Sequence, residues 1–213
     1  MIMRYLARTT LLCLAAVCTL AMGCGRPSAA DGQLSFSGTW REIHEYHSQN
    51  GHLLRDVTEK EVTVDGDLFR ISVQAPTTAG QKKGPSLCIF DGTHIIDETG
   101  RSQRPKDSEV RRERWWQVDV EDLVALAPLG SGEPIAGRST AVRQRVEKGI
   151  KVTREVKLWL DTETGVILKK SIRWIRSGDA PDTDDWQCKD IHFGPVDRAL
   201  FFKPQAIRQE KGR

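Results

Sequence analysis

From residue 34 onward the chain alternates between apolar and polar positions over long stretches. In the segment 150–161 (IKVTREVKLWLD), Ile150, Val152, Val156, Leu158 and Leu160 share one parity, and Lys151, Thr153, Glu155 and Lys157 share the other. Successive side chains of a strand point to opposite faces, so this pattern predicts a long antiparallel strand with one buried face. Arg154 interrupts the apolar row. Its simpler reading is a bulge or a side chain snorkelling at a rim, and its sharper one is a hydrogen bond to lid carbonyls or a ligand head group. A polar turn at 161–165 leads into a returning strand over 166–176.

The same reading predicts strands over 36–46, 57–64, 68–73, 87–90, 94–96 and 186–193. Asp65-Gly66 and Asp91-Gly92-Thr93 are hairpin signals, because glycine supplies the positive φ that tight turns require. The stretches 76–85, 98–109 and 177–185 are polar and rich in turn residues, and read as loops. The best helix lies at 119–126, with Asp119 as N-cap and Pro128 and Gly130 as stop signals. Trp115 and Trp116 are adjacent, so on a strand they would point opposite ways, one inward and one to a rim. About nine strands with one or two short helices imply a mainly β (α+β) fold built on a large, curved antiparallel sheet. Its apolar face is covered either by folding over into a sandwich, or by helices in the mouth of an unclosed half-barrel.

Residues 1–23 have a different character. Arg4 and Arg8 precede an uncharged stretch, 11–22, which is too short to span a bilayer core of about 20 helical residues. This is the order of a secretory signal peptide. Ala21-Met22-Gly23-Cys24 resembles the lipobox of bacterial lipoproteins, which implies cleavage before Cys24 and acylation of its sulfur. Ser28-Ala29-Ala30 offers a rival site that would release an unlipidated protein. Residues 24–33 read as a tether and 205–213 as a polar tail. Gly25, in place of Asp, favours the outer membrane where two membranes exist, so the expected location is the envelope, facing the periplasm.

Composition narrows the chemistry. The formal charge of the 213-residue chain is +3, and Arg4 and Arg8 contribute two of these, so electrostatic binding of nucleic acid is not indicated. Cys88 and Cys188 in an oxidising compartment would form one disulfide or remain two separate buried thiols. His44, His47 and His52 invite a metal reading, but a three-residue spacing on a strand puts His44 and His47 on opposite faces, and no metal is expected. Asp161 and Glu163 form a turn pair without a partner base. No nucleophile elbow, phosphate loop or dinucleotide fingerprint occurs, and neither an enzyme nor a cofactor is expected.

The order of features resembles the LolA/LolB/RseB superfamily of bacterial envelope proteins across 34–204. The segment 135–174 (IAGRSTAVRQRVEKGIKVTREVKLWLDTETGVILKKSIRW) carries the likeness, with support from VTVDGDLFRISV, IFDGTHII and the closing IHFGPVDRALFFKP. That family's N-terminal helix has little room between Cys24 and the first strand, which leaves the lid to 119–126. The resemblance implies an unclosed half-barrel binding acyl chains or a lipidated protein, with no enzymatic activity. Phe69, Ile71, Val73, Val156, Leu158 and Leu160 are then the cavity candidates, and Leu123 and Leu126 the lid. An ordinary filled core would produce the same periodicity. The superfamily also implies a second reading, a sensor binding a regulatory protein, and a third is a structural lipoprotein with a closed core.

Overall fold

The computed structural model describes residues 34–48, 50–74, 85–176 and 180–202. The expected signal peptide at 1–23, Cys24, the tether at 24–33 and the tail at 205–213 lie outside the described residues.

Eleven strands form one antiparallel sheet: β1 (Ser35–His47), β2 (Leu53–Asp65), β3 (Leu68–Val73), β4 (Ser86–Phe90), β5 (Ile95–Asp97), β6 (Ser102–Gln103), β7 (Ala127–Ser131), β8 (Thr140–Lys148), β9 (Val152–Asp161), β10 (Ile167–Arg176) and β11 (Asp182–Phe193). Their order is β6-β5-β4-β3-β2-β1-β11-β10-β9-β8-β7, and the two edges do not pair, so the sheet is unclosed. Two short helices, α1 (Asp107–Glu113) and α2 (Val120–Val124), join β6 to β7. That connection must travel from one edge of the sheet to the other, and doing so lays it across one face. Among the described residues no helix is long and apolar enough to cross a membrane.

The expected hairpins form where their turn residues stand. Gly66 takes φ +60 between β2 and β3, and Gly92 takes φ +95 between β4 and β5. Other expectations change. The sheet has eleven strands instead of about nine. The polar loop expected at 98–109 ends in the first turn of α1, where Glu109 accepts a hydrogen bond from the Lys106 N–H at 2.9 Å. The polar stretch expected at 177–185 contributes the start of β11, because its aspartates meet an arginine and two histidines on the neighbouring strands. Asp182 pairs with Arg176 at 2.6 Å and lies 3.4 Å from His47, while Asp184 contacts His44. The tryptophan pair stands in the turn after α1 and not on a strand.

Inward-facing positions are set by register. On β1 they are Phe36, Gly38, Trp40, Glu42 and His44, opposite Phe193, Ile191, Cys188, Trp186 and Asp184 of β11. Two bulges interrupt adjacent strands: Lys189 is the extra residue on β11 and Leu168 the extra residue on β10. Bulges increase local twist and bend the strand. Consistent with a sheet that curls, Phe69, Ile71 and Phe90 share one buried cluster with Val166, Leu168 and Cys188 from the far side of β1. The outer face carries its own smaller cluster, where Phe201 of a C-terminal 3-10 turn covers Leu87 and Ile89.

Gly38 is required by this packing. A Cβ there would stand 2.6 Å from the Asp190 carbonyl oxygen and 2.9 Å from the Trp40 ring, which lies over it. The space a side chain would need is already filled by the indole two residues along the strand.

Cys88 and Cys188 are both free, as separate thiols. They sit on β4 and β11, four strand steps apart in the sheet, so no pairing of neighbouring strands sets them opposite each other. Burial pushes both thiols up to about 12, reinforced by the nearby Glu113 for Cys88 and Asp190 for Cys188. Both should therefore alkylate slowly with iodoacetamide in the native protein and quickly in guanidinium chloride, with no reductant added. A need for reductant before alkylation would contradict this arrangement.

Candidate functional site

The helical connection does not seal the inner face evenly. Over β1–β4 it is packed tight. Trp116, 1 % exposed, inserts edge-on between Phe36 and Phe69, with ring centroids at 6.3 and 5.5 Å. The Leu168 bulge leaves the Ile167 backbone free to reach the cover. Its N–H donates to the Trp116 carbonyl at 2.8 Å, and its carbonyl accepts from Trp40 Nε1 at 3.3 Å. The tryptophans thus hook the connection onto β10.

Beyond that point the cover stands away from β8–β10 and leaves a cavity of about 590 Å³. Its apolar lining comes from Val156 and Leu158 of β9, Ile167 of β10, Leu126 after α2, and Trp115 and Val118. Its charged lining holds six cations and three carboxylates: Arg111, Arg112, Arg114, Arg145, Arg154 and Lys170 against Asp119, Glu121 and Asp122. The volume falls within the range of small-molecule sites.

The cation-rich lining follows from the register. Arg145 of β8 stands opposite Val156, and Lys170 of β10 stands opposite Leu158. Arg145 is 2.7 Å from Glu147 and 3.6 Å from Asp122, and its buried Nε has no hydrogen-bond partner among the described residues. Arg154 donates to Glu147 at 3.1 Å. Lys170 lies over the Trp186 ring at 5.1 Å, with no carboxylate oxygen within 4 Å among the described residues. Burial, and then repulsion from Arg154, hold the Lys170 ammonium below its ordinary range, partly offset by Asp184, Glu42 and Asp122.

The expected cavity residues divide between two environments. Val156 and Leu158 line the cavity. Leu160 is buried in the same cluster as Val156, Leu158 and Leu126, without lining the cavity. Phe69 and Ile71 are buried in the packed cluster under Trp116, and Val73 packs against it, so these three belong to core and not to the cavity. Of the two expected lid residues, Leu126 is buried against β9 and Leu123 packs at the edge of that cluster. Among the described residues no group of three His, Cys, Asp or Glu side chains is placed to hold a metal.

The lid carbonyls are held by a different arginine from the one the strand pattern singled out. Arg154 pairs with Glu147, while Arg143 of β8 donates from Nη1 to the carbonyls of Leu123 at 3.2 Å and Leu126 at 3.1 Å. A cation there adds a charged donor to the carbonyls at the end of α2, of which the Leu123 carbonyl also accepts from the Leu126 N–H at 3.3 Å. Arg143→Ala should cost about 1–3 kcal/mol and speed amide exchange around 123–126 selectively. Unchanged exchange there would show that α2 is held by Leu126 packing alone.

No family model matches this chain, and no curated protein matches it. Among solved structures it is similar to a LolA superfamily protein from Nitrosomonas europaea, at 14 % identity and a TM-score of 0.36, covering 80 % of this chain and 91 % of that one. It is also similar to a DUF1329 family protein from Desulfovibrio piger, at 11 % identity and a TM-score of 0.31, covering 81 % and 90 %. At these scores the likeness carries no argument about membership or activity; the fold itself is a mainly β, unclosed eleven-stranded antiparallel sheet with two short helices over its inner face.

Proposed function

We propose that this protein is a non-enzymatic binding protein of the cell envelope, anchored by acyl chains on Cys24. It holds an acyl-bearing ligand, a lipid or a lipidated protein, between α1–α2 and the inner face of β8–β10. The observation that carries the reading is the cavity of about 590 Å³ floored by Val156, Leu158 and Ile167. Contiguous apolar surface inside a covered sheet gains about 25 cal/mol for each Å² removed from water on loading. The open half of the inner face argues against a sheet packed shut, and the Gly23-Cys24 step supports attachment to a membrane, facing the periplasm where an outer membrane exists. Mass spectrometry of the mature N-terminus, with lipid extraction of protein purified from its own membranes, tests both halves. Acylated Cys24 and a co-purifying acyl compound are expected. An unmodified N-terminus beginning after Ala30 would remove the anchor, and a lipid-free protein that takes up no acyl probe would remove the ligand.

A further inference from the structure

We propose that Lys170, Arg154 and Arg145 form a binding locus for the acidic group, carboxylate or phosphate, of the ligand whose apolar part lies on Val156 and Leu158. The proposal rests on the acyl-binding reading above and adds the charge of the ligand. Its geometry comes from the strand register. Arg145 flanks Val156 from β8, Lys170 flanks Leu158 from β10, and Arg154 is the next inward residue along β9 from Val156. Three cations therefore frame Val156 and Leu158, two of the three apolar side chains of the cavity floor, and all three cations line the cavity.

Their existing partners do not match their number. Glu147 serves both Arg145, at 2.7 Å, and Arg154, at 3.1 Å. Asp122 reaches only Arg145, at 3.6 Å. Among the described residues Lys170 lies over the Trp186 ring face, at 5.1 Å, and has no carboxylate within 4 Å. A covered cation without a carboxylate is costly, and the buried, unpartnered Nε of Arg145 adds to that cost. An anion entering the cavity would relieve both, because charge-assisted hydrogen bonds to guanidinium and ammonium groups are the strong ones. Burial first, and then Arg154, lower the proton affinity of Lys170, while Asp184, Glu42 and Asp122 act on it only from beyond contact distance.

The experiment is calorimetric titration of the full chain with dodecanoate, dodecanol and inorganic phosphate. Dodecanoate and dodecanol share the chain and differ in the charge. Wild type should bind dodecanoate about tenfold more tightly than dodecanol, the worth of one charge-assisted contact at a partly wet site. Lys170→Met, which removes the charge and keeps the length, should abolish that preference without changing dodecanol affinity, and Lys170→Arg should restore it. If Lys170→Met fails to fold by circular dichroism, Arg154→Gln carries the same comparison. Equal wild-type affinity for the two dodecyl compounds would overturn the charged locus and leave the acyl reading standing. Binding of phosphate alone, lost in Lys170→Met, would sustain the locus and overturn the acyl reading. Binding of none of the three would overturn both.

Discussion

Replacing Asp161 by Ala is expected to remove about 3–5 kcal/mol of stability, a large share of what a domain of this size possesses. The Asp161 side chain is 1 % exposed and sits where β9 turns toward β10. One oxygen accepts from Arg138 Nε at 2.7 Å, and the other accepts from Thr164 N at 2.8 Å, Glu163 N at 3.0 Å, Thr164 Oγ1 at 3.0 Å and Arg138 Nη2 at 3.2 Å. Removing the carboxylate leaves two backbone N–H groups and a guanidinium without their acceptor, and the penalty comes from that loss more than from the pair itself. Arg138 keeps Glu163, at 2.6 Å, which limits the damage on the exposed side. The effect should read as a midpoint lowered by roughly 10 °C in thermal unfolding. A loss under 1 kcal/mol would contradict this account.

The pH dependence of the same group has a definite sign. Burial pushes the Asp161 carboxyl up, but Arg138 and the Thr164 and Glu163 donors outweigh it and hold the group below its ordinary value. A carboxylate whose folded pKa lies below its unfolded value of about 3.9 contributes fully above that value. The contribution disappears as pH falls through the lower, folded value. The stability gap between wild type and Asp161→Asn should therefore be constant from neutral pH down to about 5 and close in stronger acid. A gap that widened on acidification would contradict the assignment.

Trp116→Ala is the second large effect, expected at about 3–5 kcal/mol. The indole touches Phe36, Phe69 and Trp115, so its loss empties the centre of the cluster that joins β1 and β3 to the cover. Trp116→Phe separates packing from polarity. The buried Nε1 of Trp116 has no hydrogen-bond partner among the described residues, so phenylalanine gives up area and also removes an unpaired donor. Its cost should stay below about 1.5 kcal/mol. Because the adjacent Trp115 lines the cavity, Trp116→Ala should also weaken probe binding, while Trp116→Phe should not. Equal destabilisation by both variants would show that Nε1 is satisfied in solution.

Alternation and turn residues made much of this fold legible in the primary structure. Strand β3 stands where the chain alternates between Asp65-Gly66 and the next polar stretch, and β9 and β10 follow from their apolar rows and the Thr164-Gly165 turn. These are local properties, since a period of two needs no partner to be read. Strands whose pattern is dictated by distant partners were less visible. The acidic start of β11 becomes a strand because Arg176, His44 and His47 face it across the sheet.

On β8 the apolar row covers only its first half. Thr140 and Val142 are buried, yet Val146 on the same row is 45 % exposed, and the row of Arg143, Arg145 and Glu147 faces the cavity side. The register with β9 decides this, and a strand's own residues carry no record of it. Periodicity likewise treated Phe69, Ile71, Val156 and Leu158 alike. Only the path of the α1–α2 connection, hooked at Ile167 and then standing clear, made the first pair core and the second pair the floor of a cavity. Local periodicity therefore specifies a sheet with one apolar face, preceded by a lipobox-like cysteine. Where that face is left open, and which cations stand around the opening, follow from contacts between residues far apart in the chain, which no local pattern records.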